Sequence, residues 1–155
     1  MVQTRQDLAA AVGLAMQRYQ RSVQAYDDAV GRRLGLGPTD LRCLDWLADG
    51  PKTAGQLAKA TGLRPAATTA MIDRLTRKGW VERVTSDTDR RQVIVQMTAV
   101  GSEQTYALYR PLVEEGSTIM VGFGQQELVM MRDVLDILTE LTDRHRDRLG
   151  SADTR

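Results

Sequence analysis

Apolar residues return at spacings of four and three along the first part of the chain: Leu8, Val12, Ala15, Tyr19, Val23, Tyr26 and Val30. That period lines one side of a helix from about Asp7 to about Leu34. A helix of about 28 residues is long for a globular domain and implies packing against another long helix. L-G-L-G-P-T-D then breaks the pattern. Thr39 is expected to cap a short helix carrying Leu41, Leu44 and Leu47, which D-G-P-K-T ends. T-A-G-Q-L-A-K-A-T-G follows, with Thr53 and Gln56 at capping-box spacing and Gly62 in the turn. R-P-A-A-T-T-A-M-I-D-R-L-T-R-K-G is a second helix, opened by Pro65 and stopped by Gly79. The period now changes to two. W-V-E-R-V-T and Q-V-I-V-Q-M-T alternate as strands, joined by S-D-T-D-R-R. Thr98 caps the next helix, from about Ala99 to about Val121, where Pro111 predicts a kink. G-F-G breaks the chain again. A last helix runs from about Gln125 to about Leu149, with Leu128, Met131, Leu135, Leu138 and Leu141 on one face.

These elements predict a mainly α fold with a small β-wing. A winged helix-turn-helix over residues 39–98 is flanked by long helices over 1–38 and 99–155, in a single domain of 155 residues. In a helix-turn-helix the second helix enters a DNA major groove, and a basic hairpin beside it reaches the backbone or minor groove. Thr68, Met71, Ile72 and Leu75 share one face of that helix and should pack on Leu57 and Leu63. The amphipathic end helices have few partners within one chain, so a homodimer is expected. A two-fold dimer would present two recognition helices to a palindromic site.

Charge refines this picture through its distribution. The whole chain is +1, but residues 39–97 carry a net +3 and residues 98–155 a net −4. This is the split of a DNA-facing module on an acidic base. With one cysteine and one histidine, an internal disulfide and a nitrogen/sulfur zinc site are both excluded. A reducing, cytoplasmic and nucleoid-associated setting is expected. Arg5, Gln6 and Asp7 interrupt any leader-like apolar run, and no run approaches a membrane span. There is no phosphate-cradling glycine loop and no recognisable carboxylate pair, so neither an enzyme nor a cofactor is expected.

The segments L-G-L-G-P-T-D-L-R-C-L-D-W-L-A-D-G-P-K-T-A-G-Q-L-A-K-A-T-G-L, A-M-I-D-R-L-T-R-K-G-W-V-E-R-V-T-S-D-T-D-R-R and V-I-V-Q-M-T-A-V-G resemble the MarR family of winged-helix regulators. G-F-G-Q-Q-E-L-V-M-M-R-D-V-L-D-I-L resembles the start of that family's final helix. The resemblance covers nearly the whole chain and is strongest from Leu36 to Gly101. It implies a homodimeric bacterial transcription regulator, usually a repressor relieved by a small ligand or an oxidant.

The resemblance also implies which residues meet double-stranded DNA. Arg64, Ala66, Ala67, Thr69, Ala70 and Arg74 lie on or near the outward side of the second helix. Arg64 and Thr69 are candidates for base edges, the arginine as a fork onto guanine. Ala70 departs from the family, where Arg or Lys is common. Arg74 is expected on phosphate, with an ion pair to an acidic residue as its alternative. Asp89, Arg90 and Arg91 form the wing tip, one arginine entering the minor groove and Asp89 orienting it. A small aromatic or anionic effector is implied where the DNA-binding module meets the dimer helices, with Arg18, Tyr19, Tyr26 and Trp46 as its lining. Cys43 sits at an apolar position, while the family's oxidant sensors carry their cysteine in the first helix. A thiol switch at Cys43 is one alternative function, and a winged-helix module for protein assembly is the other.

Overall fold

A computed structural model describes residues 4–85 and 92–152. The elements are α1 (Arg5–Leu34), α2 (Pro38–Ala48), β1 (Lys52–Thr53), α3 (Ala54–Thr61), α4 (Pro65–Arg77), β2 (Val81–Thr85), β3 (Val93–Met97), α5 (Ala99–Met120) and α6 (Gln125–Ala152). The chain divides into two compact units, one ending at Leu108 and the other starting at Tyr109.

The first unit contains a winged helix-turn-helix. Its core is Leu36, Leu41, Cys43, Leu44, Leu47, Leu57, Met71, Ile72, Leu75, Trp80, Val81 and Val95. The expected inner face of α4 is buried in full: Thr68, Met71, Ile72 and Leu75. Leu57 is buried as expected, and Leu63 is half-buried.

Local signals set most boundaries. Thr4 and Asp7 form a capping box that starts α1 two residues ahead of the expected Asp7. Thr53 and Gln56 form the second box, in which the Gln56 N–H donates to Thr53 Oγ1 at 3.1 Å and the Thr53 N–H to Gln56 Oε1 at 2.8 Å. Gly62 turns the chain between α3 and α4 in the left-handed region, at φ 71°, which a side chain disfavours. At the end of α4 the Trp80 N–H donates to the Leu75 carbonyl at 3.0 Å and the Gly79 N–H to that of Thr76 at 3.0 Å. This is a Schellman closure, with Gly79 in the left-handed position.

Two expectations are corrected. Thr39 does not cap α2: Gly37 occupies the cap and Pro38 the first turn. A proline there lacks only an N–H that would be unpaired anyway, and its fixed φ suits the helix. The sheet has three strands rather than two, in the order β1-β3-β2. β1 pairs Lys52 with Val95 and Thr53 with Ile94. Two residues show no alternation, so this strand exists only because β3 offers it an edge.

Thr98 joins the sheet to α5. Its Oγ1 accepts from the Gly101 N–H at 2.9 Å and donates to the Gly79 carbonyl at 2.7 Å. Gly101 is buried, and a Cβ there would overlap the Trp80 carbonyl oxygen. The close approach between the first turn of α5 and the end of α4 therefore needs glycine. α5 remains one helix through Pro111.

The face of α1 ahead of its last turns stays exposed at Leu8, Val12, Tyr19 and Val23, whereas Val30 is buried. In the second unit the expected α6 stripe is half-buried at Leu128 and Leu138 and exposed at Met131, Leu135 and Leu141. Among the described residues no helix is long and apolar enough to cross a membrane.

Candidate nucleic-acid interface

α4 is amphipathic in a way that dictates its role. With Thr68, Met71, Ile72 and Leu75 turned inward, the helical period turns Ala66, Ala70, Asp73 and Arg77 outward, flanked by Ala67 and Thr69. All six are exposed. Arg64 is the N-cap residue and is exposed too. Among the described residues no hydrogen bond or ion pair holds its guanidinium. Arg64, Ala66, Ala67 and Thr69, expected at DNA from the sequence, thus share the N-terminal end of one exposed surface. That end of a recognition helix is the part that meets base edges.

Arg74 is placed differently. Its Nε donates to Asp40 Oδ2 at 3.2 Å, and its Nη2 forms a second, shorter bond to Oδ1. Asp40 is 4% exposed, so the fork is held by a buried carboxylate. The guanidinium meets an acidic residue, the alternative that the sequence left open for it. Sequence reasoning missed Asp40 itself. Its signal was an acid on the buried stripe of α2 that also carries Cys43, Leu44 and Leu47.

The neighbouring Asp73 is tied on the other side. Arg83 of β2 donates to Asp73 Oδ1 at 2.6 Å. The adjacent residues Asp73 and Arg74 therefore fasten α4 to both the wing and α2. The Arg83 pair also neutralises the one acid on the outward strip of α4, which would otherwise repel phosphate. In the wing, Gln96 Nε2 donates to Glu82 Oε1 at 2.8 Å across a directly opposed pair. Asp89, Arg90 and Arg91 lie outside the described residues.

The expected effector lining is distributed over α1 and α2. Arg18 and Tyr19 are exposed, the latter at 70%. Tyr26 is half-buried, and its hydroxyl donates to the Leu108 carbonyl at 2.7 Å. That bond joins α1 to α5 within the first unit. Trp46 lies partly exposed on α2. Beside it, the Asp45 carboxyl is pushed above its usual range by desolvation, then by the negative charges of Asp27 and Asp49.

Cys43 is fully buried. Burial first, and the Asp40 charge second, push its thiol up to about 12. It is a protonated core side chain at neutral pH. Among the described residues no group of His, Cys, Asp or Glu side chains could hold a metal ion.

Comparison with known proteins agrees with this geometry. The sequence profile of the MarR family matches residues 34–92, from the end of α1 to the wing. The HTH-type transcriptional regulator YcgE of Bacillus subtilis is 33% identical over 125 residues, covering 80% of this chain and 81% of the relative. Among solved structures, a MarR family transcriptional regulator from Silicibacter pomeroyi is 26% identical with a TM-score of 0.63, covering 90% of this chain and 95% of its own. NadR, solved in complex with 4-hydroxyphenylacetate, shares the fold with a TM-score of 0.61 at 19% identity, over 89% of this chain and 96% of its own. The outward face of α4, the wing and a relative one-third identical over four-fifths of both chains lead to one conclusion: the chain belongs to the MarR family of winged helix-turn-helix, DNA-binding transcription regulators and is not an enzyme.

Proposed function

We propose that the chain is a homodimeric repressor that binds a palindromic operator and is released by a small effector. The observation that carries this reading is the exposed face of α4. It ends in the Arg64 guanidinium and has a fully buried opposite side. Arg64, Ala66, Ala67 and Thr69 face the major groove, while at the wing tip formed by Asp89, Arg90 and Arg91 one arginine, oriented by Asp89, reaches the minor groove. Arg74 serves the interface by holding α4 rather than by meeting phosphate first. Dimerisation is supported by the apolar residues left exposed on α1 and, separately, on α6: Leu8, Val12 and Tyr19 on the one, Met130, Leu135 and Ile137 on the other. Patches of this kind are seldom left to water in a soluble protein.

The effector is an aromatic molecule bound against α1 near Arg18, Tyr19 and Tyr26, with Trp46 contributing from α2. NadR binds an aromatic carboxylate, which fits that chemistry. A carboxylate would be drawn to the Arg18 guanidinium.

Sequencing of genomic DNA fragments retained by the purified protein tests the reading. The expected result is a palindrome with half-sites about one helical turn apart. Retention of random fragments alone would refute operator binding. Loss of retention on adding aromatic carboxylates would identify the effector class.

A further inference from the structure

We infer that the recognition helix reads its operator chiefly through the C5-methyl groups of thymine, with Ala66, Thr69 and Ala70 as the reading surface and Arg64 as the one polar reader. This rests on the DNA-binding reading above and names the feature of the DNA that the same site recognises.

The argument starts from the donors and acceptors that α4 can offer. Three of the residues at the groove-facing end, Ala66, Ala67 and Ala70, carry a bare methyl group. The fourth, Thr69, has a hydroxyl, but it donates back to the Pro65 carbonyl at 3.1 Å. With its hydroxyl so engaged, Thr69 presents a methyl group and acceptor lone pairs to the groove. Asp73, one turn further on, is held by Arg83, and Arg74 by Asp40. Of the side chains that commonly read guanine and adenine, a forked arginine or an amide, the N-terminal end of this face thus carries only Arg64; Arg77, the other arginine on the strip, stands in the last turn of α4, where its Nε donates to the Asp73 carbonyl at 3.4 Å. What remains is a strip of exposed methyl groups.

In the major groove the matching feature is the thymine methyl, which projects from the base edge and is apolar. Short side chains also let the helix backbone approach the base edges closely, so methyl groups can meet without a bridging water. The operator should accordingly place two or more thymines in each half-site beneath residues 66–70. Guanine is demanded only where Arg64 reaches.

Uracil substitution tests this directly, because uracil differs from thymine only by that methyl group. The full-length protein is titrated against its operator with each thymine replaced in turn, symmetrically in both half-sites, at fixed salt. Burying one methyl is worth roughly fourfold in affinity, so a symmetric replacement at a position touched by the helix should cost about 15-fold. The same series is repeated with Ala70→Gly and Ala66→Gly. The helix cost of glycine is common to the thymine and uracil arms of each variant and cancels between them. The expected result is one or two thymine positions per half-site whose uracil penalty shrinks severalfold in one of these variants. Uracil penalties below twofold throughout, or penalties that neither glycine variant alters, would overturn the inference. In that case tight operator binding that fails with 7-deazaguanine would assign the readout to Arg64 alone. Absence of any operator preference would instead remove the operator-binding reading itself.

Discussion

Removing Arg74 and removing Asp40 should not cost the same, although both break one ion pair. Asp40 has 6% of its side chain exposed and Arg74 has 43%. Arg74→Ala strands a carboxylate inside the protein. Breaking a fully buried pair this way costs about 3–5 kcal/mol. The half-exposed guanidinium lies in partly screened surroundings, and water can enter the space it vacates, so about 2–3 kcal/mol is expected. Asp40→Asn leaves a guanidinium that water can solvate and an amide oxygen that can still accept one of its bonds. About 1 kcal/mol is expected there. Asp40→Leu combined with Arg74→Ala removes the stranded charge and should recover most of the loss.

The assay is urea and thermal unfolding followed by circular dichroism at fixed protein concentration, since dimerisation makes the midpoint concentration-dependent. For a chain of this length 1 kcal/mol moves Tm by about 2–4 °C. Arg74→Ala should thus fall by about 4–12 °C and Asp40→Asn by a third to a half of that. Equal losses for both single variants would refute the argument from unequal burial. A loss below about 0.5 kcal/mol for Arg74→Ala would show the pair to be a screened surface interaction.

Arg64→Ala should weaken operator binding by about 1–3 kcal/mol per half-site and relax one base pair in each, with a much smaller loss on random DNA; equal losses on all sequences in a binding titration would make Arg64 a backbone-binding residue. Changing Arg90 and Arg91 together to Ala should weaken binding to every duplex and flatten the plot of log K against log salt, by roughly 0.9 for each phosphate no longer neutralised; an unchanged slope would remove the wing tip from the interface. Gly101→Ala should destabilise by more than about 2 kcal/mol, because its methyl group meets the Trp80 carbonyl rather than a side chain that can move; wild-type unfolding would contradict that packing. Cys43→Ala should keep operator binding and be as indifferent to peroxide as the parent, since the buried thiol is protonated; peroxide-driven release abolished by this substitution would instead support the redox alternative.

Much of the fold is legible in the chain because the signals are local. The 3.6-residue period of Leu8 to Val30, the Thr53–Gln56 box, Pro65 and the Gly79 stop each act within a few residues, and each reappears as an element or a boundary. The change to a two-residue period locates β2 and β3, and the buried face of α4 follows from spacing alone. Tertiary structure decided what depends on a distant partner. β1 is strand only because β3 lies alongside it. The Arg74 side chain is bonded 34 residues away, to an acid whose burial depends on the packing of α2 against its neighbours. Gly101 is indispensable because of the carbonyl of Trp80, far upstream in the chain. Spacing put Arg64, Ala66, Ala67 and Thr69 on an outward face, but it did not reveal that the Thr69 donor is taken by Pro65 or that Arg83 neutralises Asp73. Periodicity encodes which side of an element avoids water, whereas hydrogen-bond partners are chosen only when the elements meet.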